Sequence, residues 1–242
     1  MRDIEDYTSH YLEHGFEDYL VVYRRKKILE IMRKYTPKNI LEIGCGMEPL
    51  FSYVDWDVNR YTIYEPSKIF CDNAIELSKE KEYYINVINA GFEGDNNGNY
   101  DFIICSGLLH ELEDPRKMVE YIRNSCNKDT IVHINVPNAK SLHRLCAYYA
   151  GMISDIREFS EQNIIFQQHS VFTIESLNEM VTEKGLKIVD SGSYFIKPFT
   201  HKQMQQMLEE KIITEKVLDG LYALSKDLSD FGAEIFINCQ VV

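Results

Sequence analysis

The chain has 242 residues, 45% of them hydrophobic, and a formal net charge of −12. That length suits one α/β domain with additions, and the apolar content supplies a full core, which argues against disorder. The acidic balance argues against a nucleic-acid partner, whose phosphates demand concentrated lysine and arginine. The basic run Arg24-Arg25-Lys26-Lys27 reads first as a solvated helix face; the alternative is an arginine, Arg25, that reaches a ligand carboxylate. The six cysteines form no CxxC pair, which predicts a reduced, cytoplasmic protein without a zinc site. No signal peptide and no apolar run long enough to span a membrane is visible.

Residues 1–37 read as a helical extension: Tyr7, Tyr11, Phe16 and Tyr19 cluster first, then a helix spans 17–35 and stops at Pro37. Strand one is Asn39–Ile43, and Gly44 and Gly46 end it with a turn that bares the backbone; a short helix is expected near 47–53. Strand two is 60–64 and runs into Glu65-Pro66, with a helix from 66 to 79. Strand three is 84–89 and strand four 100–105. A helix over 115–124 follows, with Asp114 as its N-cap. Strand five is 130–135. The alternation then breaks at 137–170, which contains a helix over 141–151 and reads as an insertion on the substrate side. Thr173 caps a helix that Gly185 stops; strand six is 186–196, residues 198–228 are helical, and strand seven is 230–239. Strands separated by helices predict a parallel sheet with right-handed crossovers. The chain divides into an extension (1–37), a cofactor half (39–136), the insertion (137–170) and a final part of the sheet (171–242), all within one domain.

The ligand signal lies at the tips of the first two strands. Free N–H groups at the Gly44-Cys45-Gly46 turn suit a polar ligand, and an acid about twenty positions on, Glu65, suits a ribose diol. Together they predict an adenosine-type ligand. A dinucleotide fingerprint wants a third glycine where Pro49 stands, which weighs against an NAD-type oxidoreductase.

The pattern Glu42-Ile-Gly44-Cys-Gly46, followed by Tyr64-Glu65-Pro66, resembles class I S-adenosylmethionine-dependent methyltransferases. The resemblance covers about residues 39–240 and is most specific before 115. It implies a Rossmann-like, seven-stranded, mostly parallel sheet with an antiparallel last strand and helices on both faces. It also implies S-adenosyl-L-methionine as cofactor and S-adenosyl-L-homocysteine as product. By this resemblance Gly44, Cys45 and Gly46 cradle the methionine part, Glu42 orients its amino group, and Glu65, next to Pro66, holds the ribose. Ser106 and Gly107 line the methionine end, and the extension, with Tyr11, closes over the cofactor. After strand three the chain departs from the family: Asn89-Ala90-Gly91-Phe92 lacks the acid that contacts adenine, leaving the Ala90 and Gly91 backbone to meet the base, with Phe92 packed either on the base or, equally, in the core.

A hydroxyl acceptor calls for a proton acceptor, and His143, His169 and His110 fall at loop or helix starts on the ligand edge, whereas His133 sits inside strand five as core. Arg144 is placed to meet a phosphate or carboxylate of the substrate. His110, Glu111, Glu113 and Asp114 are close in sequence, but they diverge around a short turn, and no metal is expected. The reading is methyl transfer to a hydroxyl or phosphate-like oxygen of a small polar acceptor, with a sugar or nucleotide-linked intermediate of surface-polysaccharide synthesis favoured by resemblance. The rivals are N-methylation of an amino sugar and a non-catalytic adenosine-binding protein whose 16 tyrosines mark a partner interface. A homodimer is compatible with either.

Overall fold

The computed structural model describes residues 15–95, 98–160, 163–164 and 166–242. Tyr11 lies outside the described residues. The first helix, α1, spans Phe16–Tyr35 and ends on Thr36 in the left-handed region, one residue before Pro37. The strands are β1 (Asn39–Ile43), β2 (Arg60–Tyr64), β3 (Tyr84–Ile88), β4 (Tyr100–Ser106), β5 (Cys126–Pro137), β6 (Leu186–Tyr194) and β7 (Glu234–Val241). The other helices are α2 (Lys68–Ser78), α3 (Pro115–Asn124), α4 (Leu142–Tyr149), α5 (Ile174–Glu183), α6 (His201–Glu209) and α7 (Glu215–Leu224).

The strand order is β3-β2-β1-β4-β5-β7-β6. The pairs among β1 to β5 are parallel, and β7 runs antiparallel between β5 and β6. Strand order therefore reverses between β1 and β4, and a crevice opens outside the carboxyl ends of strands at such a point. β1 reads Asn-Ile-Leu-Glu-Ile and is buried on both faces, which is why it lacks polar alternation. One apolar cluster packs α1 and α6 on one face of the sheet; the other packs α3 and α5 on the opposite face.

Several local expectations differ in detail. The turn after Gly46 is a 3-10 segment over Leu50–Tyr53, and Pro49 stands before it as N-cap. The helical stretch after Pro198 is two helices: Thr200 and Gln203 form a capping box that starts α6, and the chain breaks between 209 and 215. β5 begins earlier than its apolar run because the Thr130 hydroxyl, bonded to the Tyr100 carbonyl at 2.6 Å, carries the pairing across a bulge. Asp114 caps α3 by accepting from the Lys117 N–H at 3.0 Å, and Thr173 and Ser176 form the capping box of α5. Among the described residues no helix is long and apolar enough to cross a membrane.

Candidate active site

A cavity of about 940 Å³ lies over the carboxyl ends of β1, β2, β4 and β5. Pockets for small molecules run to about 300–1,000 Å³, so this one has room for a nucleoside cofactor and a second small molecule. Its floor at one end is the turn after β1. Gly44 and Gly46 have φ of 75° and 58°, a region that side chains resist. A Cβ at Gly44 would meet nothing within 4 Å, so the backbone there is bared to open space.

Glu65, at the tip of β2, faces this turn. One of its carboxylate oxygens accepts from the Cys45 N–H at 3.0 Å and the Gly46 N–H at 3.4 Å; the other accepts from the Ser67 N–H at 2.8 Å. The Asn89 amide, donating to the Glu65 and Pro66 carbonyls at 3.0 Å each, pins this tip to the end of β3. Glu42 is buried below the turn, where its carboxyl accepts from the Leu50 N–H at 3.2 Å and the Tyr61 hydroxyl at 2.9 Å. Burial raises it to about 8 despite those two donors, so it is mostly protonated at neutral pH. Burial also pushes the Cys45 thiol up, with Glu42 and Glu65 adding to the effect, and leaves it unreactive. Pro66, Ser106 and Gly107 line the same end, as does Phe70, which the sequence reading passed over. Arg25 also lines it, ion-paired to Glu48 and stacked 4.0 Å above the Tyr53 ring.

Ala90, Gly91 and Phe92 lie away from this cavity. Ala90 and Gly91 are exposed at the end of β3, and Phe92 is buried in the core, edge-on to Tyr64 with ring centroids 5.0 Å apart. The three histidines separate too. His110, on the 3-10 turn Leu109–Glu111, and His143, in the first turn of α4, both line the cavity. His169 is exposed and does not; its backbone N–H donates to the His110 carbonyl at 2.8 Å. Burial, reinforced by the neighbouring Lys197, His201 and Arg144, lowers His143 to about 2, so its imidazole stays neutral. Arg144 donates to the Ile156 carbonyl at 2.9 Å and to the Glu158 carbonyl, which ties the insertion to α4. His133 is fully buried in β5, bonded to Asn238 at 2.8 Å.

The other end of the cavity holds a polar cluster that the sequence did not reveal. Arg24 of α1 forms a forked pair with Glu234 at the start of β7, its Nε at 2.9 and 3.0 Å from the two carboxylate oxygens. Glu234 also accepts from Asn135 at 2.9 Å and from the Tyr194 hydroxyl. Arg24 donates in turn to Glu17 at 2.9 Å. Next to them Lys197, only 2% exposed, places its amine 2.9 Å from Nδ1 of His201, and Nε2 of His201 lies 3.1 Å from Glu17. No motif marks these residues; the available signal was a lysine closing the apolar run Tyr194-Phe-Ile-Lys197. Among the described residues no group of His, Cys, Asp and Glu is arranged to hold a metal.

A profile of the methyltransferase domain matches residues 11–191, and the chain belongs to that family. Solved structures agree on the fold. An S-adenosylmethionine-dependent methyltransferase from Clostridium acetobutylicum aligns with a TM-score of 0.57 at 9% identity, covering 90% of this chain and 91% of that one. The plantazolicin methyltransferase BpumL, solved with a monoazolic desmethylPZN analogue and S-adenosylhomocysteine, aligns at 0.58 and 16% identity, covering 98% of this chain and 89% of that one. The N-methyltransferase NodS from Bradyrhizobium japonicum aligns at 0.55 and 12% identity, covering 93% and 96%. No curated protein matches the sequence. The protein is an S-adenosylmethionine-dependent methyltransferase, and the bared turn at Gly44–Gly46 beside the Glu65 carboxylate fits that cofactor.

Proposed function

We propose that the protein transfers the methyl group to an oxygen of a small, polar acceptor, with a sugar or nucleotide-linked sugar as the class favoured. The supporting observation is the far end of the cavity, where Lys197, His201, His143, Asn163 and Gln168 line the wall. An acceptor rich in hydroxyls bonds these polar groups where they face the cavity; an apolar one displaces water from them without replacing its hydrogen bonds. The cofactor roles proposed are the amino acid part on the Gly44–Gly46 turn above Glu42, and the ribose on Glu65.

The bound sulfonium supplies an activated methyl, so the chain's task is largely to position the acceptor and remove its proton. His143 stays neutral and its buried Nδ1 has no partner among the described residues. The ring lines the cavity, and the role assigned to it is to orient the acceptor hydroxyl. Because protonated His143 is so disfavoured, it orients the hydroxyl without keeping the proton.

The test is to incubate the protein with methyl-labelled cofactor and a panel of sugars, nucleotide-sugars and amino sugars. Mass spectrometry then looks for the gain of one methyl group. Methylated hydroxyl products support the proposal. Methylation confined to amino groups replaces it with the N-methyl reading, and no product from any sugar removes the acceptor class.

A further inference from the structure

We infer that Lys197 is the proton acceptor of the reaction, aligned by His201 and Glu17. This deepens the oxygen-acceptor reading above and rests on it for the identity of the proton. The geometry of the three groups fixes their roles. Glu17 is a carboxylate and only accepts, so Nε2 of His201 carries the hydrogen across the 3.1 Å gap. In the neutral ring Nδ1 then has a lone pair, which takes one N–H of Lys197 at 2.9 Å. The amine is thereby held in one orientation on the cavity wall.

The backbone that delivers Lys197 is itself bent for the purpose. Phe195 has φ of 59°, a left-handed conformation that a bulky side chain rarely adopts. Its carbonyl accepts from the Ala233 N–H at 2.7 Å, the next N–H donates to the Leu221 carbonyl at 3.0 Å, and its ring packs on Tyr23 with centroids 4.7 Å apart. This kink turns the chain off the end of β6 and into the cavity two residues later.

The charges facing the amine come from four elements: Glu17 and Arg24 on α1, His201 on α6, Glu234 on β7, and His143 and Arg144 on α4. Burial lowers the lysine to about 8; Glu17 and Glu234 oppose that shift and Arg144 adds to it. Glu17 itself is held at about 2, because the His201 bond and Arg24 outweigh its own burial. An appreciable fraction of the amine is thus neutral near neutral pH, unlike an ordinary lysine at about 10.4. Glu17 and Glu234 face the amine together with Arg24 and Arg144, and the two carboxylates favour the ammonium formed in the reaction.

The step balances. The acceptor oxygen forms a bond to the methyl carbon as the carbon–sulfur bond breaks, and that electron pair stays on sulfur as a neutral thioether. The hydroxyl proton passes to the lone pair of Lys197. One positive charge leaves the sulfonium and one appears on the ammonium, so the cavity's net charge is unchanged.

The first test needs no acceptor. In full-length protein with ε-13C-labelled lysine and bound S-adenosylhomocysteine, one lysine resonance, missing in Lys197→Met, is expected to titrate near pH 8 and lower still in Glu17→Gln. A Lys197 midpoint near 10, or one that ignores Glu17→Gln, overturns the inference whatever the acceptor proves to be. The second test uses the sugar that the panel identifies. Lys197→Met and Lys197→Arg are expected to lose kcat by about 100–10,000-fold with KM nearly unchanged, and to lose the rise in rate through pH 8. Calorimetry with S-adenosylhomocysteine checks that both variants fold. Retained turnover in Lys197→Arg overturns the role. If no sugar is methylated, the acceptor reading fails and the titration alone decides Lys197.

Discussion

The two ends of the cavity are built in different ways. The end proposed for the cofactor is made of strand tips: Glu42, Gly44, Cys45, Gly46 and Glu65 lie on β1, in the turn after it and at the tip of β2, and their contacts span about twenty residues of chain. The acceptor end is made of side chains that meet only when the fold is complete. Arg24 and Glu234 are 210 residues apart in sequence, and Glu17 and His201 are 184 apart. The first end is mostly main chain around one carboxylate, Glu65. The second is a buried network in which each charge depends on another. A site of the first kind has a motif; a site of the second kind has none.

The sharpest way to break this contrast is at the cofactor end. If Glu65 holds the ribose as proposed, Glu65→Ala removes two charge-assisted contacts to it, worth about 1.5–3 kcal/mol each. Calorimetric affinity for S-adenosylhomocysteine is expected to fall at least about 100-fold. Undiminished binding takes the ribose role from Glu65 and with it the idea that one short motif governs that end.

At the other end the expected effect is on stability. Arg24→Met leaves the Glu234 carboxylate buried without its partner, which costs about 3–5 kcal/mol and lowers the melting temperature by about 10 °C. A loss of a degree or two would mean that the network is ornamental to the fold.

A third measurement separates the two ends by pH. Glu42 sits at about 8 in the folded chain against 4.5 for the free group. Between those values the folded state keeps a proton that the unfolded state has released, so stability falls as pH rises across the window. The loss is expected to exceed about 1.4 kcal/mol, the equivalent of one pKa unit. Glu42→Gln has no such proton, and its chemical-denaturation profile is expected to be flatter from pH 5 to 8. Equal slopes would return Glu42 to an ordinary carboxylate.

The smallest effect is a control that touches neither end. Thr173→Ala removes the capping box of α5 and is expected to cost about 1 kcal/mol in denaturant unfolding, with cofactor affinity unchanged.

The same contrast explains what was legible in the sequence. β1, β2 and β4 were plain because each is a short apolar run closed by a glycine, an acid or a serine, and their periodicity is local. The caps Asp114 and Thr173 were plain because a capping side chain bonds a residue three positions on. Phe92 was ambiguous for a physical reason: an aromatic at a strand end packs equally well on a base or on the core, and only the Tyr64 ring opposite decides it. His143, His169 and His110 were chosen as loop histidines on the ligand edge. Sequence position does not say which way a ring turns, and His169 turns outward. Lys197 and His201 were passed over because their meaning comes from Glu17, at the far end of the chain.

Helix α1 gives seven side chains to the core, and Arg24 clamps it to β7 besides. Helix α4, across the cavity, buries none. The roof is therefore a fixture and the flank a door: ligands are expected to come and go past α4, whose amides should exchange with solvent well before those of α1.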